Sequence, residues 1–296
     1  MTQRRYLQLD VFAHAPGTGN PLGVVVDAHG LDSAAMQALA AWLNLSETIF
    51  FLPVGGHGAD YHIRIFTPKG ELPFAGHPSV GAAWAALEMG LVRPEHRQPD
   101  ASGRTALVQQ CAAGMLPVQV KQADGVRLVD VRTPRAVHRR DVPAPDWLLA
   151  PSVFGAARGA LPPALHNNGP DWWLLELADE AALRALQPDQ ALIAALPGNG
   201  KLAVFARSHG GEHDLAVRAF APGVGVAEDP VTGSANGSIG AYLAANDALP
   251  GRDGRYVASQ GRELGRDGRV LVQVDDARDV WIGGQVQPVI QGQIAW

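Results

Sequence analysis

The sequence predicts an α+β protein of two pseudo-symmetric halves, each with one prominent helix packed against curved sheets. Two observations predict this class. Short segments of alternating or β-branched apolar residues, separated by glycine- and proline-bearing turns, recur along most of the chain and indicate strands. One strand–turn–helix motif occurs twice, about half a chain length apart, and a repeat at this period indicates two similar domains.

The first copy of the motif is RIFTPKGELPFAGHPSVGAAW, residues 64–84. Its opening residues alternate as in a half-buried strand, and the following prolines and glycine break regular structure. We expect Pro78 to open a helix that runs to about Met89. The start of a helix has backbone N–H groups without intrahelical partners and favours negative charge, so it suits a carboxylate or phosphate.

The second copy is RAFAPGVGVAEDPVTGSANGSIGAYL, residues 218–243, with a three-residue insertion before its helix. Gly76-His77-Pro78 of the first copy correspond to Gly233-Ser234-Ala235 of the second. If the two halves face each other, both helix starts point into one cleft. We therefore expect a two-domain protein with its site between the domains.

The other elements follow from local pattern. Asp32 or Ser33 is predicted to cap a helix that ends near Leu43. The remaining predictions are, in chain order, strands at 6–12, 21–26, 45–52, 106–110, 115–121, 126–132 and 172–177, helices at 180–186 and 188–196, and strands at 202–207, 255–259, 270–274, 280–282 and 286–294. The charged, proline-bearing stretch 138–146 is the predicted linker, which gives domains 1–138 and 139–296, with the last strand free to return to the first half.

Composition narrows the functional classes. The 296 residues are 47% hydrophobic and 18% charged, and the net charge of −5 disfavours a nucleic-acid partner. The N-terminus lacks the apolar region of a signal peptide, and no apolar run is long enough to span a bilayer, so we expect a cytoplasmic protein with no membrane partner. The single cysteine, Cys111, excludes an internal disulfide, and no metal site is predicted.

Glu47 is the first candidate for acid/base chemistry, because it stands at a strand start beside the apolar run Ile-Phe-Phe. A carboxyl group that points inward there is desolvated, which raises its pKa toward the range of a general acid or base. The alternative is a glutamate on the outer face of the strand. His77 is either a hydrogen-bond donor or proton shuttle for an anionic substrate, or a capping or partly exposed histidine.

The second motif offers two further candidates. Asp229 either accepts a hydrogen bond from the substrate, or from His77 across the cleft, or is an ordinary turn aspartate before proline. Ser234 is expected to cap the second helix, a role compatible with a hydrogen bond to a ligand carboxylate.

Outside the repeated motif, the pair Trp172-Trp173 is expected to place one ring in the core and the other in the cleft.

With these motifs in view, the chain resembles the PhzF (phenazine-biosynthesis protein) family over nearly its whole length. The matching pieces are VFA…GNPLGVV (11–25), LSETIFF (45–51), RIFTPKGELPFAGHP (64–78), RAFAPGVGVAEDPVTGSA (218–235) and WIGGQV (281–286). The family resembles diaminopimelate epimerase in fold. The resemblance therefore implies a curved, barrel-like sheet around a central helix in each half. Epimerase relatives use a cysteine at each helix start, but Ala75 and Thr232 stand at these places and disfavour a two-cysteine epimerase.

The activity that the resemblance implies is isomerisation of trans-2,3-dihydro-3-hydroxyanthranilate or a similar small carboxylate, without a cofactor. Glu47 would move the proton, with His77 and Asp229 orienting the substrate and assisting. The groups expected to bind the substrate and its carboxylate are Asn20, Gly76, Gly233 and Ser234. A homodimer is also implied.

One departure and two alternatives accompany this resemblance. Gly265-Arg266-Asp267 stand where family members often have a Gly-Arg-Pro-Ser type sequence, which would change a loop near the cleft. The alternatives are a lyase or dehydratase that acts on a hydroxy amino acid with the same acid/base, and a non-enzymatic protein that binds a small molecule.

Overall fold

The computed structural model describes residues 2–56, 58–123 and 125–296. The chain forms two compact units. Unit 1 contains Met1–Arg132 and Gly283–Trp296, and unit 2 contains Thr133–Ile282. Within the described residues, no helix is both long and apolar enough to cross a membrane.

The first part of the chain supplies most of the elements of unit 1. They are β1 (Gln3–Val11), β2 (Asn20–Val25), α1 (Ser33–Leu43), β3 (Glu47–Leu52), β4 (Tyr61–Thr67), β5 (Gly70–Leu72), α2 (Gly76–Glu88), a 3₁₀ helix (Pro94–Arg97), β6 (Arg104–Cys111), β7 (Gly114–Ala123) and β8 (Val126–Arg132).

Unit 2 and the final strand follow. Their elements are β9 (Val137–His138), α3 (Asp146–Leu149), β10 (Ser152–Val153), β11 (Ala156–Ala157), β12 (Ala164–Asn167), β13 (Asp171–Glu176), α4 (Glu180–Ala185), α5 (Gln190–Ala194), β14 (Leu202–Arg207), β15 (Leu215–Ala221), a 3₁₀ helix (Pro222–Val224), β16 (Val226–Asp229), α6 (Gly233–Ala245), β17 (Arg255–Gln260), a 3₁₀ helix (Arg262–Leu264), β18 (Gly268–Val274) and β19 (Val280–Ala295).

Strand pairing closes the sheet of unit 1 into a barrel of 8 strands. β1–β2, β3–β4, β6–β7 and β7–β8 are antiparallel, whereas β2–β3 and β4–β6 are parallel. The part of β19 from Gly283 onward belongs to this unit, where β19 pairs with β8 and runs antiparallel to β1, which completes the ring.

Helix α2 is the central helix of this barrel, and every residue from Gly76 to Ala86 is buried. Small side chains make this possible, because they let the strands approach the helix backbone closely. A Cβ on Gly81 would collide with a methyl group of Leu22 and would lie 3.1 Å from one of Val11. The amphipathic α1, capped by Asp32 as predicted, packs instead on the other side of β3 and β4 over a second apolar cluster that includes Met36, a residue 1% exposed.

Unit 2 repeats the pairing sequence of unit 1. β13–β14 is parallel, β14–β15 antiparallel, β15–β17 parallel and β17–β18 antiparallel, as are β2–β3, β3–β4, β4–β6 and β6–β7 in turn. Its buried helix, α6, has the same length as α2, 13 residues. The predicted fold class, α+β with a curved sheet around a central helix in each of two pseudo-symmetric halves, is confirmed.

The motif is repeated down to single side chains. Arg64 forms an ion pair with Glu71 and lies 5.0 Å over the ring of Phe66. In the second copy, Arg218 forms an ion pair with Glu228 and likewise lies 5.0 Å over the ring of Phe220. The arginine therefore ties the strand of each copy to the segment that leads toward its helix.

Some local predictions differ from the structure. The division at Arg132/Thr133 precedes the predicted boundary at 138/139, because Thr133 donates from its backbone to Val280 and β9 pairs with β12 inside unit 2. Helix α2 begins at Gly76, two residues before Pro78. The last two predicted strands form one continuous strand, β19. The strand passes through Gly283 close to Asp130, and any residue with a Cβ at this position would collide with the Asp130 carboxylate.

Candidate functional site

Glu47 opens β3 in unit 1, and parallel pairing with β2 sets it opposite Leu22. Its Oε2 atom is buried, although the whole side chain is 16% exposed. The exposed surface therefore belongs to the rest of the side chain. Glu47 therefore lies between the two alternatives that the sequence left open, a desolvated carboxyl group and a glutamate on the outer face of the strand. One of its carboxyl oxygens is buried against His77, and the rest of the side chain keeps some access to solvent.

His77 is the second residue of α2 and is 4% exposed. Its Nε2 atom lies 3.3 Å from Glu47 Oε2. Burial lowers the pKa of His77 from 6.5 to about 3, and a hydrogen bond from the ring to the main-chain carbonyl of Pro21 opposes this shift. The ring is therefore neutral at physiological pH. It is neither a cap nor a partly exposed histidine.

Two more of the predicted residues belong to the same region of unit 1. Asn20 is the first residue of β2, is fully buried, and directly precedes the Pro21 whose carbonyl His77 contacts. Gly76 is the first residue of α2, after the N-cap Ala75, which has no side-chain capping group. Of these residues, His77 is in direct contact with the Glu47 carboxyl group, and Gly76 and Asn20 are sequence neighbours of His77 and of its partner Pro21.

Asp229 is the last residue of β16 in unit 2. Its Oδ2 atom accepts a hydrogen bond of 2.6 Å from the hydroxyl of Thr232, and its main-chain carbonyl accepts one of 2.9 Å from Gln260 Nε2. Asp229 is therefore not an isolated turn residue, since side chains from two further positions hold it. Its predicted hydrogen bond with His77 stays a prediction.

Ser234 has a different role from the predicted one. Helix α6 begins at Gly233 with Thr232 as its N-cap, so Ser234 lies inside the first turn and cannot be the cap. Its Oγ atom accepts a hydrogen bond of 3.0 Å from Trp172 Nε1, and its carbonyl accepts one of 2.8 Å from Asn168.

Trp172 and Trp173 do point to opposite sides of β13, and both are buried. Trp173 belongs to the main apolar core of unit 2. Lys201 Nζ lies 5.6 Å over the ring of Trp172, so this ring connects Ser234 with a cation.

Sequence reasoning missed Gln260, and it named Thr232 and Trp172 without assigning them as hydrogen-bond partners of Asp229 and Ser234. Thr232 had a visible signal, since threonine directly before a helix start is a typical N-cap. Gln260 had none, because its strand is brought to the EDPVT turn by pairing across unit 2.

The segment Gly265-Arg266-Asp267, which departs from the family pattern, is held by ion pairs. Asp267 forms one of 2.8 Å with Arg262 and one of 2.6 Å with Arg269.

No cluster of three or more histidine, cysteine, aspartate or glutamate side chains that could hold a metal ion occurs among residues 2–56, 58–123 and 125–296. Cys111 is a buried free thiol, and burial raises its pKa. It therefore has the character of a small apolar residue.

Comparison with known proteins assigns nearly the whole chain to one family. The family model described as a phenazine biosynthesis-like protein, PhzC-PhzF, matches residues 9–292. Antisense-enhancing sequence 1 of Schizosaccharomyces pombe is 30% identical over 99% of both chains. Trans-2,3-dihydro-3-hydroxyanthranilate isomerase of Pseudomonas aeruginosa is 34% identical, over 83% of this chain and 82% of that one.

A solved structure gives the same result for the fold. The crystal structure of a PhzF-family phenazine biosynthesis protein from Bacillus anthracis has a TM-score of 0.81, with 25% identity and complete coverage of both chains. Several relatives that match most of the chain are named isomerases. The chain therefore belongs to the phenazine biosynthesis-like (PhzC-PhzF) family and is an isomerase.

Proposed function

We propose that this isomerase moves a proton between carbon atoms of a small, carboxylate-bearing metabolite, with Glu47 as the acid/base and no cofactor. The substrate class is that of trans-2,3-dihydro-3-hydroxyanthranilate, which the Pseudomonas aeruginosa relative is named for. The observation that carries the proposal is the contact of 3.3 Å between His77 Nε2 and Glu47 Oε2, beside the start of a buried helix.

The neutral state of His77 supports a protonated carboxyl group on Glu47. A neutral imidazole has one N–H group, and a carbonyl oxygen can only accept, so the bond to the Pro21 carbonyl uses that N–H. Nε2, which faces Glu47, is then an acceptor. A protonated carboxyl group is the state of Glu47 that can donate to this nitrogen, which lies 3.3 Å from Oε2. The pair therefore stores a proton that a substrate carbon can receive.

Once Glu47 has given its proton to one carbon, its carboxylate removes a proton from another carbon, which returns the enzyme to its starting state. One carboxyl group that first donates and then removes a proton is therefore sufficient for an allylic shift, and positioned dipoles stabilise the charge that develops. The backbone N–H groups in the first turn of α2 suit the substrate's carboxylate. Such chemistry needs neither a metal ion nor an organic cofactor.

The residues of unit 2 have supporting roles in this proposal. We expect Asp229 to accept a hydrogen bond from the substrate, and the first turn of α6, with Gly233 and Ser234, to contribute to binding its carboxylate. Asn20, which is buried and directly precedes Pro21, would limit the shape of the substrate. The homodimer and the cytoplasmic location stay predictions, of which light scattering and fractionation are direct tests.

Deuterium incorporation tests the proposal. The protein is incubated in D₂O with trans-2,3-dihydro-3-hydroxyanthranilate and with a panel of amino and hydroxy acids, and mass spectrometry follows exchange and products. Loss of one acid/base should slow exchange by about 100-fold or more in Glu47→Gln. Glu95→Gln is the matched control, because Glu95 is 61% exposed.

Each outcome has a consequence. Exchange that Glu47→Gln retains at the wild-type rate would remove Glu47 as the acid/base. A product lighter by one water would replace isomerisation by elimination on this substrate. Dialysis against a chelator should leave the rate unchanged, and a loss that added metal restores would overturn cofactor independence.

A further inference from the structure

The side-chain amide of Gln260, at the end of β17, is a buried hydrogen-bonding centre behind Asp229. Gln260 is 1% exposed. Its Nε2 donates to the Asp229 carbonyl and to Thr232 Oγ1, both at 2.9 Å. Its Oε1 accepts from the Thr232 backbone N–H and from Asn236 Nδ2, both at 3.0 Å. The two amide hydrogens and the oxygen are thus all in use.

Backbone partners fix which end of this amide is which. The Asp229 carbonyl can only accept, so it requires the NH₂ end of Gln260. The Thr232 backbone N–H can only donate, so it requires the oxygen end. The second hydrogen of the NH₂ group then points at Thr232 Oγ1, which must accept it. The hydroxyl proton of Thr232 is left for one partner, Asp229 Oδ2, at 2.6 Å.

This arrangement replaces normal helix capping. Thr232 is the N-cap of α6, yet its side chain makes no capping hydrogen bond. A threonine that caps a helix with its side chain normally stabilises that helix. The Thr232 hydroxyl instead donates to Asp229. This hydrogen bond therefore serves a purpose other than stabilising the start of α6.

The first copy of the motif supports this argument. Its N-cap is Ala75, which has no hydroxyl, and α2 still forms at the same length as α6, 13 residues. A buried glutamine is present in unit 1 too, but Gln109 donates to Ser79, which corresponds to Asn236, and not to the N-cap. The helix and the strands around it therefore do not require the chain of hydrogen bonds from Gln260 through Thr232 to Asp229.

We propose that Gln260 is a positioning residue that acts through Thr232: it forces the threonine hydroxyl to donate to Asp229 and so holds that carboxylate ionised and in one orientation for the reaction. The assignment to the reaction rests on the proposed function, in which Asp229 contacts the substrate. The hydrogen-bond chain is a property of unit 2 alone. Glu228, the residue before Asp229, is paired with Arg218 and is not altered by the variants that follow.

The test compares three variants by the ¹³C NMR titration of the Asp229 carboxyl group, assigned with Asp229→Asn. Thr232→Val removes the hydroxyl at constant shape, Gln260→Met removes the amide, and Thr232→Ser keeps the donor. A lost donor destabilises the ionised form, so the titration midpoint should rise by about one pH unit in Thr232→Val and Gln260→Met. Thr232→Ser should stay near the wild type. An unchanged midpoint in Thr232→Val overturns the proposal, even if Gln260→Met does not fold.

Kinetics link the chain to the reaction. With trans-2,3-dihydro-3-hydroxyanthranilate, kcat/KM should fall about tenfold in Thr232→Val, with Thr232→Ser close to the wild type, and the acid limb of its pH profile should move up with the NMR midpoint. In an Asp229→Ala background, Thr232→Val should cause less than a twofold further loss. Equal losses in both backgrounds would show a structural role for Thr232 and overturn the inference. The failure of the proposed function has another signature, namely full activity of Glu47→Gln.

Discussion

His77 Nε2 lies 3.3 Å from Glu47 Oε2 in unit 1, and burial holds the pKa of this histidine at about 3. The unfolded chain, with a histidine pKa near 6.5, binds a proton more readily than the folded one. The folded state therefore loses stability as pH falls from about 6.5 toward about 3. Above pH 6.5 His77 is neutral in both states, and its burial no longer lowers the free energy of unfolding.

We expect the free energy of unfolding of the wild type to fall more steeply with decreasing pH than that of His77→Gln. The difference in slope should reach about 1.4 kcal/mol per pH unit below pH 6.5. Urea unfolding at several pH values measures it, with the exposed His14→Gln as a control that should keep the wild-type slope. An NMR titration of His77 with a midpoint near 6.5 would contradict the prediction.

The repeated arginine offers a matched pair of substitutions. Arg218 is 6% exposed, pairs with Glu228, and also donates to the carbonyl of Leu186 at 2.7 Å. In Arg218→Met the carboxylate of Glu228, whose side chain is only 10% exposed, is left without its cation, which should cost about 3–5 kcal/mol. Arg64→Met breaks the more exposed pair with Glu71 and should cost about 1 kcal/mol or less. Denaturant unfolding of both variants measures these losses in the free energy of unfolding. Equal losses would show that the burial of the Arg218–Glu228 pair does not make it more important for stability.

This pair also shows how far the sequence predicts the fold. Arg64 and Arg218, each with a phenylalanine two residues later, can be aligned from the amino-acid sequence alone, because their spacing is the same in both copies. That alignment predicts two similar halves and the two central helices. Local pattern also locates α1 and most strands. It fails where a strand contains glycines, as in β19, because close packing against Asp130 decides the conformation there.

The surroundings of the site residues were less predictable, since partners arrive by long-range pairing. The register of β14 with β15 sets Leu202 opposite Phe220, just as Thr48 is opposite Phe66. Lys201, which directly precedes β14, therefore occupies in unit 2 the register position that Glu47 has in unit 1. The helix starts differ in the same way, with Ser234 in place of His77. The repeat preserves the backbone and exchanges the polar side chains at these two positions, which a motif comparison alone does not reveal.

Ser234 and Trp172 should be energetically coupled. Ser234→Ala leaves the N–H of Trp172, a residue 3% exposed, without its acceptor, which should cost about 1–3 kcal/mol. Trp172→Phe removes that donor. The double variant should therefore be more stable than the sum of the two single losses predicts. Denaturant unfolding of the four proteins in this cycle measures the coupling. Strict additivity would show that the hydrogen bond contributes nothing to stability.

The tight contact between α2 and its barrel makes a prediction about Gly81. A Cβ at this position would collide with Leu22 and approach Val11 to 3.1 Å, and both of these side chains belong to strands that cannot easily move. We expect Gly81→Ala to destabilise unit 1 by about 1–3 kcal/mol through overpacking, although alanine is the better helix former.

Gly70→Ala is the control for this substitution, since a Cβ there has no neighbour within 4 Å. It should change the free energy of unfolding by less than about 0.5 kcal/mol. The two variants differ in the space around the new methyl group, so a comparison of their unfolding transitions isolates the packing of the central helix. If Gly81→Ala were as stable as the wild type, α2 would not be held as closely by β1 and β2 as the structure indicates.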